Sequence, residues 1–299
     1  MGLAGMVTGA KNIIIPEVDP TLILKLIEEE KIQHALFVPA VILFLVQHPD
    51  SANTDFSSLK TVIYGASPIT DDTLIKAMEL MKCNFWQVYG LTETNGAITF
   101  LFPEDHDVSR GKLRSCGKAG KDVGIRVVDS EDNDVPIGEV GEVIIQSLNN
   151  MKGYWNRPEA TAESIKNGWF YSGDIGYFDD DGFLYIHDRV KDMIVSGGEN
   201  IYPAEVENAL LSHPQILDAA VIGIPDDKWG EATKAFIVQS EGDPLDEVEV
   251  ISYVKTKIAG YKCPKTVEHI NELPRNPSGK ILRKDLRAPY WEGRERNVS

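Results

Sequence analysis

Three short apolar runs recur through the first third of the chain: Ala35-Leu36-Phe37-Val38, Thr61-Val62-Ile63-Tyr64, and Phe85 to Tyr89. Each has strand length, and each ends at a proline or glycine, namely Pro39, Gly65 and Gly90. Segments of helical period separate them. Asp19-Pro20 precedes Leu22, Ile23, Leu26 and Ile27, the pattern of a capped amphipathic helix. A second helix is predicted through Leu43-Phe44-Leu45-Val46, and Thr70 or Asp71 opens a third carrying Leu74, Ile75, Met78 and Met81. Strands that alternate with helices predict a parallel α/β sheet.

The texture changes at Gly124. Ile125 to Val128, Val143-Ile144-Ile145, Phe170-Tyr171 and Phe183 to Ile186 are short strands parted by Asp, Asn, Gly and Pro. They predict a small β-barrel or distorted sheet. Asp179-Asp180-Asp181-Gly182 lacks the alternating ligands of a calcium loop and reads as a hairpin turn, left-handed at Gly182. Farther on, Val206 to Leu211 and Val248 to Ile258 read as helices, with Ala219 to Ile224 and Ala235 to Val238 as a hairpin.

Between these regions lies Asp188-Arg189-Val190-Lys191-Asp192-Met193-Ile194-Val195-Ser196-Gly197-Gly198-Glu199-Asn200-Ile201-Tyr202-Pro203. Asp188 to Lys191 is a charged, strand-poor joint, and Met193-Ile194-Val195 a short buried strand. Ser196-Gly197-Gly198 is a loop that brings bare backbone close to a neighbour, because glycine accepts φ > 0 and has no Cβ. Pro203 suits the first turn of a helix, with Glu205 and Glu207 near its positive end.

A net charge of −16 argues against a nucleic-acid partner. It also means that an anionic substrate needs cations placed locally, and Arg275, Lys280, Arg283, Lys284 and Arg287 supply a basic run near the C-terminus. The same run can equally be a solvated face. No stretch of ~18 apolar residues predicts a membrane span. Cys83, Cys116 and Cys263 are odd in number and widely spread, which favours a reducing, cytoplasmic setting over a disulfide framework. The scattered histidines lack ligand spacing and are assigned structural roles.

Candidate site residues follow predicted strands. Gly65-Ala66-Ser67 and Gln87-Val88-Tyr89-Gly90-Leu91-Thr92-Glu93 stand where ligands bind in open α/β sheets. The first is also an ordinary tight turn, and Thr92-Glu93 could serve as a helix cap. In Tyr171-Ser172-Gly173-Asp174 a carboxylate on a glycine turn can accept two bonds from a ribose diol, or simply close a turn. Asp174 and Arg189 would bracket one hairpin. Leu273-Pro274-Arg275-Asn276-Pro277-Ser278-Gly279-Lys280-Ile281-Leu282-Arg283 forms a stiff loop presenting Lys280 as a point charge on a flexible stem.

Together these motifs resemble the AMP-forming acid–CoA ligases of the adenylate-forming superfamily, from about Gly5 to Arg287. The resemblance implies a partial large domain, with a parallel α/β part at 1–112 and a β-rich part at 113–188. A smaller α+β domain at 189–299 would be hinged at Lys191. ATP/AMP, Mg²⁺, coenzyme A and a small carboxylic acid are the implied ligands. Tyr89 and Gly90 match the adenine pocket, and Gly65, Ala66, Ser67 and Gln87 are further cofactor-binding positions. Thr92 meets phosphate, Glu93 holds Mg²⁺, Asp174 and Arg189 contact ribose, and Lys280 neutralises the α-phosphate. Rotation about Lys191 would bring in the Gly197-Gly198 loop for thioester formation, and Lys191, Gly197, Gly198 and Asn200 are counted with the cofactor-binding positions.

Ile201-Tyr202-Pro203-Ala204-Glu205-Val206-Glu207 looks like the fatty-acyl branch. Val38, Tyr64, Gly90 and Gly96 match acyl-pocket positions, which leave aryl and short acids open. Gly141-Glu142-Val143 and Gly153-Tyr154-Trp155 are assigned to barrel core or turns, and Trp229-Gly230-Glu231 to a hairpin turn with a weak claim on coenzyme A. The family's Ser/Thr/Gly-rich phosphate loop has no counterpart in this sequence. Adenylation by this chain alone is therefore expected to be impaired, and a non-catalytic remnant remains a rival reading. The sheet edge left bare would need either a second copy of the chain or a preceding segment.

Overall fold

The computed structural model describes residues 2–240, 242, 245–276 and 279–292. They divide into two compact units, one mainly residues 2–90 and 97–117, the other mainly 91–96, 118–276 and 280–292. No helix among the described residues is long and apolar enough to cross a membrane.

The first unit is built on strands His34–Phe37, Thr61–Gly65, Asn84–Leu91 and Gly96–Leu101, adjacent in that order. The first three pair in parallel. Helices Pro39–Gln47 and Asp71–Met81 make the crossovers that parallel pairing demands. Helix starts follow local chemistry. Asp19 accepts the Leu22 N–H at 3.1 Å ahead of Pro20–Glu29. Thr70, rather than Asp71, caps Asp71–Met81 by accepting from Thr73 N–H. Ile27, Ile42, Leu45, Val62, Leu74 and Phe85 fill the core beneath, each worth about 1.5–3 kcal/mol when fully buried.

Two expectations change here. Gly90 does not end its strand, which continues to Leu91. Tyr64, expected in an acyl pocket, is wholly buried core. Its hydroxyl lies 3.0 Å from His106 Nε2, while His106 Nδ1 lies 2.8 Å from the Phe102 carbonyl. Only a donor can face that carbonyl, so Nδ1 carries the proton and Nε2 accepts from the tyrosine. Burial holds the His106 imidazole below its usual pKa, in keeping with the neutral form.

The second unit has two sheets. One is an open, curled, half-barrel sheet of antiparallel strands ordered Leu184–Arg189, Trp169–Phe178, Gly141–Ser147, Val123–Val128. Bulges at Ile186/Asp188 and Glu142/Ile144 bend it. The Asp179–Gly182 turn closes as expected, with Gly182 at φ +77°. The other sheet runs Glu199–Ile201, Ile194–Ser196, Gly230–Gln239, Ile216–Asp226, with Thr266–His269 parallel to Gly230–Gln239. Its long hairpin is apolar on both faces. Ala219, Val221, Ala235 and Ile237 pack with Val206, Leu210, Val250 and Val254. Ala220, Ile222 and Phe236 pack with Leu273, Ile281, Leu286 and Tyr290.

Asp188 and Arg189, expected in a strand-poor joint, belong to strand Leu184–Arg189. The joint itself is the turn Val190–Asp192, closed by Met193 N–H to the Arg189 carbonyl at 3.0 Å. Asp188 Oδ1 accepts from Arg189 N–H at 2.8 Å, and Oδ2 accepts from Ala204 N–H at 2.9 Å. The latter serves the start of helix Pro203–Leu211, where Tyr202 provides no side-chain cap. Burial pushes the Asp188 carboxyl up to about 6; Arg283 pulls it back and Glu207 pushes it further up.

Two predictions follow from these contacts. A Cβ on Gly65 would lie 2.0 Å from the Val88 carbonyl oxygen. Gly65→Ala should therefore cost about 1–3 kcal/mol, read as a lower urea midpoint; an unchanged midpoint would contradict the packing described. Asp188 has a folded pKa raised above its unfolded value of 3.8. Its contribution is thus most favourable below 3.8 and is lost as pH rises through about 6. Relative to Asp188→Asn, the natural chain should gain on the order of 3 kcal/mol as pH falls from neutral to below 3.8. Denaturant unfolding of both proteins across that range measures it, and a constant difference would refute the raised pKa.

Candidate functional site

Within the first unit the candidate residues cluster at the ends of two parallel strands. Gly65 closes Thr61–Gly65, and Ala66 follows at φ +71°, so the chain turns sharply before half-buried Ser67. Gln87, Tyr89 and Gly90 lie along the neighbouring strand Asn84–Leu91, all half-buried. Gln87 Oε1 is buried without a hydrogen-bond partner. Such an atom costs about 1–3 kcal/mol, so it marks a place where a donor is wanted.

In the second unit, Thr92 and Glu93 occupy the short turn Thr92–Thr94. Thr94 Oγ fixes it, accepting from Leu91 N–H at 2.9 Å and donating toward the Leu91 and Gly96 carbonyls. Thr92 is left exposed. The Glu93 carbonyl accepts from Met151 N–H at 2.6 Å, and its carboxylate Oε1 accepts from the Tyr154 hydroxyl at 2.9 Å. From sequence, Tyr154 takes a structural role with Gly153 and Trp155. Its hydroxyl instead meets a candidate catalytic residue, and Trp155 is 90% exposed rather than core. A glycine followed by two aromatics in a loop is the one sequence signal that marks it. Burial and the Glu93 carboxylate raise the Tyr154 pKa, and Arg189 opposes the rise.

Asp174 and Arg189 stand opposite each other in register across the hairpin, as expected, and join at 3.0 Å. Asp174 is buried while Arg189 is half-buried. Ser172 Oγ accepts the Asp174 N–H at 3.0 Å and donates to the Val143 carbonyl. Glu142 accepts Gly173 N–H at 3.0 Å, and burial raises its carboxyl above the usual range. Glu142 thus buttresses the glycine turn beside Asp174, a role that its place in a strand motif did not reveal.

Lys191 is exposed on the joint. Arg287 donates to its carbonyl at 3.3 Å and pairs with Asp192 at 3.1 Å. Gly197 and Gly198 both have positive φ, +62° and +87°. The neighbour that bare backbone approaches is Trp229, whose ring would lie 2.6 Å from a Cβ on Gly197. Gly197 N–H also donates to the Trp229 carbonyl at 2.8 Å, and buried Glu231 accepts Val195 N–H. Asn200 is exposed on the return strand Glu199–Ile201. Lys280 is exposed too. Its loop is pinned by Asn276, which donates to the Lys280 carbonyl and accepts the Lys280 N–H, both at 2.9 Å. Pro277 and Ser278 of that motif lie outside the described residues.

The described residues hold no group of three or more His, Cys, Asp or Glu able to bind a metal. Glu93 therefore offers a single carboxylate, with Oε1 engaged by Tyr154 and Oε2 left for a cation. That suits Mg²⁺, which takes one or two carboxylates and draws its other ligands from water and phosphate.

The family model for AMP-binding enzymes matches residues 1–155, and that for the AMP-binding enzyme C-terminal domain matches 205–280. The chain is 42% identical to the long-chain-fatty-acid–CoA ligase FadD13 of Mycobacterium tuberculosis, over 94% of this chain and 55% of that protein. It is 40% identical to a feruloyl-CoA synthase of Amycolatopsis, over 96% of this chain and 58% of that one. Among solved structures, the o-succinylbenzoate CoA synthetase of Bacillus subtilis, in complex with its acyl-adenylate intermediate, superposes with a TM-score of 0.83. That match has 34% identity and covers 95% of this chain and 57% of the other. The chain thus spans a little over half the length of the proteins it matches. With its motifs on strand ends and turns and with both family models matched, the chain belongs to the AMP-binding enzyme family, the adenylate-forming ligases.

Proposed function

We propose that this chain carries the adenylate-handling and thioester-forming parts of an ATP-dependent acid–thiol ligase that activates a fatty acid. The observation that carries the reading is the registered Asp174–Arg189 pair, a buried carboxylate held by a half-exposed guanidinium on adjoining strands. A carboxylate so placed can accept from both hydroxyls of a ribose.

In the first half-reaction the substrate carboxylate attacks the α-phosphorus of ATP and pyrophosphate leaves. Thr92 would meet phosphate, Glu93 would hold a Mg²⁺ ion, which when bound supplies positive charge beside the phosphates, and Lys280 would offset charge developing on the α-phosphate. In the second, the coenzyme A thiol gives up its proton and attacks the acyl carbonyl, and AMP leaves. Rotation about Lys191 exchanges Lys280 for the Gly197-Gly198 loop and Asn200 between the two steps. The proposed division is 1–112, 113–188 and 189–299, and the proposed setting is the cytoplasm. A second reading, an aryl acid as substrate, is favoured by the 40% identity to a feruloyl-CoA synthase.

Pyrophosphate release with ATP, Mg²⁺ and either a medium-chain fatty acid or ferulate tests both readings. Lys280→Ala should lower release about 10²–10³-fold while leaving thioester formation from supplied acyl-AMP unchanged. Equal losses in the two half-reactions would remove Lys280 from its role. Failure of the natural chain in both half-reactions would leave it a non-catalytic remnant.

A further inference from the structure

Tyr154 is fixed at both ends. Its N–H donates to Thr161 Oγ at 2.9 Å, and Thr161 Oγ donates onward to the Arg157 carbonyl at 2.8 Å. Gly153, at φ +151°, lets the chain pass close to Thr161; a Cβ there would lie 2.7 Å from Thr161 Cγ2. The phenol hydroxyl then reaches Glu93 Oε1 at 2.9 Å. Two residues earlier in the same loop, Lys152 follows Met151, whose N–H holds the Glu93 backbone carbonyl at 2.6 Å. One short segment, residues 151–154, therefore grips Glu93 by main chain and by side chain.

A glutamate has three rotatable bonds, and an unrestrained carboxylate presents its oxygens in many directions. With Oε1 engaged by a hydroxyl donor, the carboxylate loses much of its freedom of orientation and Oε2 keeps its lone pairs for a cation. The donor is neutral, so it orients the carboxylate without cancelling its charge. Partners of this kind, behind a metal's own ligands, typically change metal affinity 10–100-fold.

We propose that Tyr154 is a positioning residue for the divalent cation, acting through Glu93. The proposal rests on the reading of Glu93 as the carboxylate that holds Mg²⁺.

The test measures ATP binding by isothermal titration calorimetry across a series of Mg²⁺ concentrations, with no turnover involved. The proteins are the natural chain, Tyr154→Phe, Glu93→Gln and the double variant. Tyr154→Phe keeps the ring and should raise the Mg²⁺ concentration for half-maximal effect about tenfold, with ATP affinity at saturating Mg²⁺ unchanged. Glu93→Gln should abolish the response to Mg²⁺ in this range. Adding Tyr154→Phe to Glu93→Gln should then change nothing further, whereas a merely structural role for the tyrosine would persist in that background. If Glu93→Gln abolishes the response and Tyr154→Phe leaves it as in the natural chain, the positioning role is overturned and the Glu93 reading stands. If Glu93→Gln leaves the response intact, or ATP binds without regard to Mg²⁺, the Glu93 reading fails and the proposal falls with it. Melting curves with and without ATP identify a variant that fails to fold, and Tyr154→Trp then repeats the measurement with an N–H donor in place of the hydroxyl.

Discussion

Two buried carboxylates share one guanidinium at the centre of the second unit. Arg283 bonds both oxygens of Glu207, at 2.9 and 2.7 Å, and its charge also reaches Asp188. The carboxylates are satisfied further by backbone donors from Val221, Ala204 and Arg189. Four elements converge there: the strand ahead of the joint, helix Pro203–Leu211, strand Ile216–Asp226 and helix Arg283–Arg287. An ion cluster of this sort adds little net stability over an apolar one, but removing one member leaves a buried charge unpaired, at a cost of about 3–5 kcal/mol. Its geometry sets where the joint lies relative to the sheet behind it. Arg287, on the same short helix as Arg283, then holds the joint itself through Asp192 and the Lys191 carbonyl.

The candidate residues sit on that frame in two different ways. Asp174 and Glu93 are held by neighbours, one by Arg189 and Ser172, the other by Tyr154 and Met151. Lys280 and Asn200 are exposed and reach solvent. Groups that must orient a ligand need their rotamers locked, whereas a group that supplies only charge works from a flexible stem. Under the proposed roles, ribose and cation fall to the held carboxylates and phosphate charge to an exposed ammonium on a flexible stem.

Much of this was legible in the sequence because it is local. The crossover pattern of Ala35–Val38, Thr61–Tyr64 and Phe85–Tyr89 required a parallel sheet, and Asp19 before Pro20 required a cap. The pairing of Asp174 with Arg189 followed from the hairpin between them, whose turn at Gly182 was readable from residue type. What escaped was set by contacts between distant segments. Nothing in the spacing of Tyr154 and Glu93 ties them together, and Tyr64 entered the core because His106 supplies a partner for its hydroxyl. Gly90 misled for a related reason. A glycine after an apolar run commonly ends a strand, but pairing with neighbours carried this one through to Leu91. Trp155 misled in the opposite sense, since an aromatic in a strand-rich region is ordinarily core.

The packing of Trp229 against Gly197 has an optical consequence. The indole is 44% exposed and leans on a loop whose two glycines carry no side chains to screen it. Any displacement of that loop changes how much water the ring meets, and the wavelength of its emission changes with it. The molecule thus contains a native fluorophore at the proposed thioester-forming loop, and once the other four tryptophans are replaced its emission reports that loop's position without an attached dye.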